Sequence, residues 1–147
     1  MRTRTRTRTP VVIVATVAAL AVGLSGRSGP HVIGAPYHGA GPGALATDPS
    51  DHGPAVGWVR PGERFFVTTY GSSSCPTAPT AVDAGRAGPV VTMTRTGGSA
   101  CTADSGPASY ALDLPRQDRG RRHVTVTLRF DDDDQPTVAL DLPPVSG

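Results

Sequence analysis

The chain has 147 residues, about one domain's worth, with 14 basic and 12 acidic residues and a formal charge of +2. All its basic side chains are arginine, and lysine and asparagine are absent beside 18 glycines and 15 prolines, a bias that looks like a GC-rich genome more than a functional signal. Without lysine, Ser-x-x-Lys chemistry is excluded.

At the N-terminus, Arg2, Arg4, Arg6 and Arg8 precede an apolar run from Val11 to Leu24 and then small residues, the order of an export signal. The run is shorter than the roughly 20 residues that a helix needs to cross a bilayer core. Residues 1–26 therefore read as a signal peptide, with an N-terminal membrane anchor in contact through Val11 to Leu24 as the second choice. No two of these arginines are adjacent, which favours the general secretory route over a twin-arginine one. Leu24-Ser25-Gly26 resembles the opening of a bacterial lipobox, yet Arg27 occupies the place of the lipid-bearing cysteine, and a thioether cannot form on arginine. With four of the 14 arginines in this segment, ten remain against all 12 acidic residues, a formal charge of −2. A basic surface for DNA, RNA or anionic lipid is not expected.

Residues 27–54 are dense in Gly and Pro without a period of two or 3.6 and read as a flexible tether. His31, His38 and His52 lie in it at spacings that match no compact ligand pattern, so they read as solvated side chains rather than a metal tract.

Residues 55–147 change to short alternating segments. AVGWVR and the run from Arg64 to Tyr70 flank a Pro61-Gly62 turn. PVVTMTR places Val91 and Met93 on one face, and SYALDLP aligns Tyr110, Leu112 and Leu114. HVTVTLRF aligns Val124, Val126, Leu128 and Phe130, and TVALDLP aligns Val138, Leu140 and Leu142. Strands with one apolar face each, and no helical periodicity, predict an all-β domain: a small immunoglobulin-like sandwich or open barrel with one disulfide.

That disulfide joins Cys75 and Cys101, the only cysteines, in a chain bound for an oxidising compartment. Closing a loop of that length stabilises a fold by about 3–4 kcal/mol on the chain-entropy model. Trp58 is expected in the core against the disulfide, with an exposed binding aromatic as the minor reading.

The stretch GERFFVTTYGSSSCP, after Trp58, together with CTADSGPASYALDLP resembles a group of small exported actinobacterial proteins, many of them lipoprotein-like. The resemblance is specific in Gly71 to Pro76 and in Cys101 to Asp104. It implies export, the disulfide and a β fold, and no activity. Tyr70 stands where that group often has Trp, and Arg27 where it has the lipid-bearing Cys.

The run from Gly71 to Ser74 reads first as a strand end pinned by the disulfide: Gly71 permits a positive φ, the serines hydrogen-bond the turn and Pro76 stops further pairing. Its second reading is a ligand-binding nest of hydroxyls and backbone N–H groups, with Tyr70 and Trp58 beside it. A serine hydrolase using Ser72, Ser73 or Ser74 with His123 is the enzymatic alternative, although GSSSC does not match Gly-x-Ser-x-Gly. Asp131 to Asp134 read as a solvated hairpin tip. Asp131 and Asp133 are weak candidates for calcium in an adhesive module, because the alternating ligand pattern and closing Glu are missing. RQDRGRR, Arg116 to Arg122, reads as a polar connection rather than a contact for an anionic wall polymer or lipid headgroup. The expected protein is an extracytoplasmic, non-catalytic binding or structural module of the cell envelope. It needs no cofactor, and its partner is an envelope component, whether wall polymer, lipid or protein.

Overall fold

A computed structural model describes residues 29–38, 52–132 and 136–145. Among the described residues, eight strands form two four-stranded sheets. The first has the order β1-β6-β3-β2, from Ala35–Pro36 (β1), Gly106–Asp113 (β6), Arg64–Gly71 (β3) and Ala55–Arg60 (β2). The second has the order β4-β5-β7-β8, from Thr77–Ala84 (β4), Pro89–Arg95 (β5), Thr125–Phe130 (β7) and Val138–Asp141 (β8). The expected all-β, two-sheet fold with one disulfide is what the chain adopts.

Alternation explains the closure. Val56, Trp58, Phe65, Val67, Leu112 and Leu114 point in from the first sheet, to meet Val91, Met93, Val126 and Leu128 of the second in one buried cluster. Period-2 side chains put all of these on one face of each sheet, so burying them is what drives the sheets together. Trp58 is buried and donates its Nε1–H to Pro143 O at 2.7 Å.

β2 and β3 pair antiparallel through Trp58↔Phe65, and the turn between them is closed by Glu63 N–H to Arg60 O at 3.0 Å. Gly62 has φ +74 after Pro61, the residue pair that a type II turn requires. β5 and β7 pair in parallel, Val90↔Thr127 through Met93↔Phe130. The chain leaves β5, runs through β6 in the opposite sheet and returns, the long crossover that a parallel pair needs. This pairing departs from the purely antiparallel sheets of immunoglobulin domains.

Three expectations are corrected. Pro76 does not end pairing: β4 begins at Thr77 and pairs with β5 from Thr77↔Arg95 to Ala84↔Pro89, with an irregularity between Pro79 and Ala81. β4 is an edge strand, where a bulge accommodates a proline. The tether reading fails from Ile33 to Tyr37. Ile33 N–H donates to Pro79 O at 2.9 Å in the second sheet, β1 then pairs with β6, and Tyr37 stacks on Phe66 at 5.2 Å. Gly34, at φ +80, makes this crossing between sheets possible, since a Cβ there would lie 2.6 Å from Ala111 O. Thirdly, Gly71 is not among the positive-φ glycines; it ends β3 in ordinary pairing with Gly106.

Candidate functional site

Beyond Gly71 the chain passes from the first sheet to the second through residues 72–76, and it returns from β5 to β6 through residues 96–105. The Cys75–Cys101 disulfide, with Cα atoms 5.5 Å apart, ties these two crossings together. Cys75 N–H donates to Ser72 O at 3.2 Å, while Thr96 N–H and Oγ1–H both donate to Pro76 O, at 2.9 and 2.7 Å. The glycine that this end requires is Gly97, at φ +101, where a Cβ would collide with Ser74 O.

The disulfide makes sequence-distant neighbours of Ser74 and Thr102. Thr102 N–H donates to Ser74 Oγ at 2.9 Å, and Ser73 N–H donates to Asp104 Oδ1 at 3.3 Å. Thr102 Oγ1 also contacts Asp104 Oδ1 closely. A carboxylate only accepts, so the single hydroxyl proton of Thr102 goes to Asp104. Thr102 Oγ1 can then only accept, and Ser72 Oγ at 2.9 Å and Ser74 Oγ at 3.2 Å are placed to donate to it. Ser72 Oγ also lies 3.2 Å from Ser74 Oγ, and Ser74 Oγ reaches Cys75 Sγ at 4.0 Å, so each serine proton has a second acceptor; the network ends on a carboxylate. Hydrogen bonds from Ser73 first and Thr102 second hold Asp104 down at about 2, against an ordinary 3.8, although the group is fully exposed.

An open cleft of about 270 Å³ lies beside this network, walled by Tyr70, Gly71, Ser72, Thr77, Arg95 and Thr102 with the disulfide at its base. Tyr70 is 36% exposed, and His52 packs against it with ring centroids 5.1 Å apart. His52, read as a solvated tether residue, is thus placed at the cleft. Cys75 is buried and Cys101 exposed. The cleft offers hydroxyls, a guanidinium and an aromatic face, a set suited to binding a polar ligand.

It is poorly suited to nucleophilic catalysis. A carboxyl group with a pKa near 2 is a weak acceptor for a serine proton. His123 is exposed and sits at the other end of the sandwich: Thr125 N–H bonds Ala87 O beside the start of β5, whereas Arg95 of the cleft ends that strand. Seven strand residues separate the two ends, roughly 20 Å, so the alternative that pairs His123 with Ser72, Ser73 or Ser74 does not match this geometry. Trp58 is corrected too. Its partner Phe65 lies six residues before Gly71 on β3, so Trp58 packs in the core far from both the disulfide and the cleft.

Asp131 Oδ2 accepts from Thr94 Oγ1 at 2.8 Å, and Asp132 approaches Arg95 at 3.9 Å. Asp133 lies outside the described residues. Among those described, no three His, Cys, Asp or Glu side chains are grouped to hold a metal, and no helix is long and apolar enough to cross a membrane. The run from Val11 to Leu24 lies outside them as well.

Sequence reasoning identified Gly71, Ser72, Ser73, Ser74 and Tyr70 and missed Arg95, Thr102 and Asp104. The signal for the last two was present. Once Cys75 is bonded to Cys101, Ser74 and Thr102 flank the same cross-link and must be neighbours. No family model, no curated protein and no solved structure matches the chain.

Proposed function

We propose that the protein is an extracytoplasmic, non-catalytic binding or structural module of the cell envelope, and that the cleft beside the Ser72–Thr102–Asp104 network is its ligand site. The observation that carries this reading is the set of partners in the network. Ser73 and Thr102 hold Asp104 as a carboxylate too acidic to act as a base, and the hydroxyls of Ser72 and Ser74 are engaged with one another, with Thr102 and with the disulfide sulfur, which favours a pre-organised rim for binding over an activated nucleophile. The N-terminal basic and apolar segments and the disulfide support export. Kinship with small exported actinobacterial proteins belongs to the same proposal.

Washed cell envelopes from the native host should retain the protein, and Tyr70→Ala together with Arg95→Ala should release most of it into the soluble fraction without lowering its melting temperature by more than a few degrees. Stoichiometric labelling of the protein by a fluorophosphonate probe, abolished by alanine at Ser72, Ser73 or Ser74, would overturn the non-catalytic reading.

A further inference from the structure

The opposite end of the sandwich gathers positive charge that is scattered in the sequence. Arg60 ends β2, Arg64 begins β3, and Arg119 follows the 3₁₀ turn Arg116–Asp118 in the β6–β7 connection. Together with Val59, Glu63 and Asp113 they line one open cleft of about 310 Å³. The connection is brought there by backbone bonds: Leu114 N–H donates to Glu63 O at 2.7 Å, and Asp118 N–H to Pro115 O at 2.9 Å.

The two carboxylates in the cleft occupy only part of this cationic surface. Glu63 Oε2 takes Arg60 NH1 at 3.0 Å. Asp113 Oδ1 lies 3.5 Å from Arg64 Nε without the angle of a hydrogen bond. Arg119 donates its Nε–H to Leu114 O at 3.3 Å, which anchors the inner edge of its guanidinium and leaves the outer edge in the cleft. Among the described residues, both terminal nitrogens of Arg64 and of Arg119 and one of Arg60 thus have no protein partner. Guanidinium edges of this kind match the paired oxygens of a tetrahedral oxyanion. Arg86, Arg116, Arg121 and Arg122 lie at the same end with Asp83, Asp118 and Asp141, which leaves arginine in excess there among the described residues, and a concave surface concentrates the field at its mouth.

We propose that the cleft between Arg60, Arg64 and Arg119 is a binding site for a phosphoryl group, as a phosphomonoester or phosphodiester. This site is separate from the serine-rimmed cleft and stands or falls independently of it. Glu63 and Asp113 lie beside Arg60 and Arg64 at the rim, and selectivity rests on oxygen count: a tetrahedral phosphoryl group presents oxygens to more than one guanidinium edge, which the two oxygens of a planar carboxylate do less well.

Titration of the ¹⁵N-labelled full chain with inorganic phosphate and with glycerol 1-phosphate, followed through the arginine Nε–H signals, should give saturable shifts at Arg64 and Arg119. Succinate should act at least tenfold more weakly. Arg119→Ala and Arg64→Lys should each weaken binding about tenfold or more, Arg129→Ala should leave it unchanged, and Glu63→Gln should tighten it by freeing Arg60. Arg64→Lys retains the charge and loses only the fork, so its failure to bind cannot be assigned to unfolding or to lost net charge. In parallel, sedimentation with phosphatidylcholine vesicles with and without phosphatidylglycerol distinguishes the sources: binding only to phosphatidylglycerol vesicles assigns the phosphoryl group to lipid, and binding to the soluble esters assigns it to a free or polymer-borne phosphate. Absence of binding in both arms, equal affinity for succinate, or an equal loss in Arg129→Ala would overturn the proposal.

Discussion

At one end of the sandwich the chain changes sheets twice, and the disulfide binds both crossings under a network of hydroxyls that terminates on Asp104. At the other, the β2–β3 turn, the β4–β5 turn and the β6–β7 connection meet without a cross-link, and there lie seven of the nine arginines among the described residues. The first end is covalently fixed and ends on anionic groups, Asp104, Asp131 and Asp132. The second is held by backbone hydrogen bonds and by the pairing of Arg121 NH1 with the buried Asp118 Oδ1 at 3.3 Å. Seven arginines at the second end meet five carboxylates, Glu63, Asp83, Asp113, Asp118 and Asp141, whereas at the first Arg95 and Arg129 meet Asp104, Asp131 and Asp132, so among the described residues the two ends differ in the sign of their local excess.

The largest separation of the two ends should come from removing the cross-link. Cys75→Ala with Cys101→Ala is expected to lower the unfolding free energy by about 3–4 kcal/mol. In urea titrations the midpoint should drop accordingly, and amide exchange should accelerate first at residues 72–76 and 96–105 while Leu114 and Asp118 stay protected.

Gly34→Ala acts on the strap that joins the sheets. A non-glycine residue at positive φ with Cβ against Ala111 O should cost about 2 kcal/mol, read as a lower thermal midpoint and as loss of the Tyr37–Phe66 ring contact in NMR spectra. Arg121→Ala withdraws the counter-charge from Asp118, whose side chain is wholly buried while Arg121 is 40% exposed. Water replaces part of that pairing, so about 1–2 kcal/mol is expected. The loss should spread to the Arg119 cleft and spare the serine loop.

The smallest effect is acid loosening of the serine loop. Asp104 has a folded pKa near 2 against 3.8 unfolded, so between those values the unfolded chain binds more protons, and the stabilisation is lost as pH falls through the window from about 4 to 2. The Ser73 and Thr102 amide resonances should shift in that window, and Asp104→Asn should remove the pH dependence. Because the carboxylate is solvent-exposed, global stability should change little.

Much of this architecture was legible in the sequence, and for identifiable reasons. Val91/Met93, Val124/Val126/Leu128 and Leu112/Leu114 alternate cleanly, so their strands and buried faces could be read directly. Pro61-Gly62 specified its turn, and two cysteines in a chain read as exported allowed one pairing. β4 was hidden because TAPTAVDA carries small side chains and a proline, which only an edge position with a bulge tolerates. β1 was hidden because two residues have no period; its place depends on Gly34 and on the partners Pro79 and Ala111 in different sheets. Of the serine-rimmed cleft, the serines and Tyr70 were visible as an unusual run, whereas Arg95 enters only through the β4–β5 register. The arginine cleft was the least legible. Its members lie 55 to 59 residues apart in the case of Arg119, and only the folded β6–β7 connection brings them together.

The most direct test of the central claim is an intact mass, recorded without reductant, of the protein recovered separately from culture medium, washed envelopes and cytosol of the native host. An exported, disulfide-pinned module should be found in the medium beginning near Gly26, or in the envelope with residues 1–26 retained, and in either case lighter by two hydrogens than its reduced form. A full-length chain confined to the cytosol with both Cys75 and Cys101 as free thiols would contradict it.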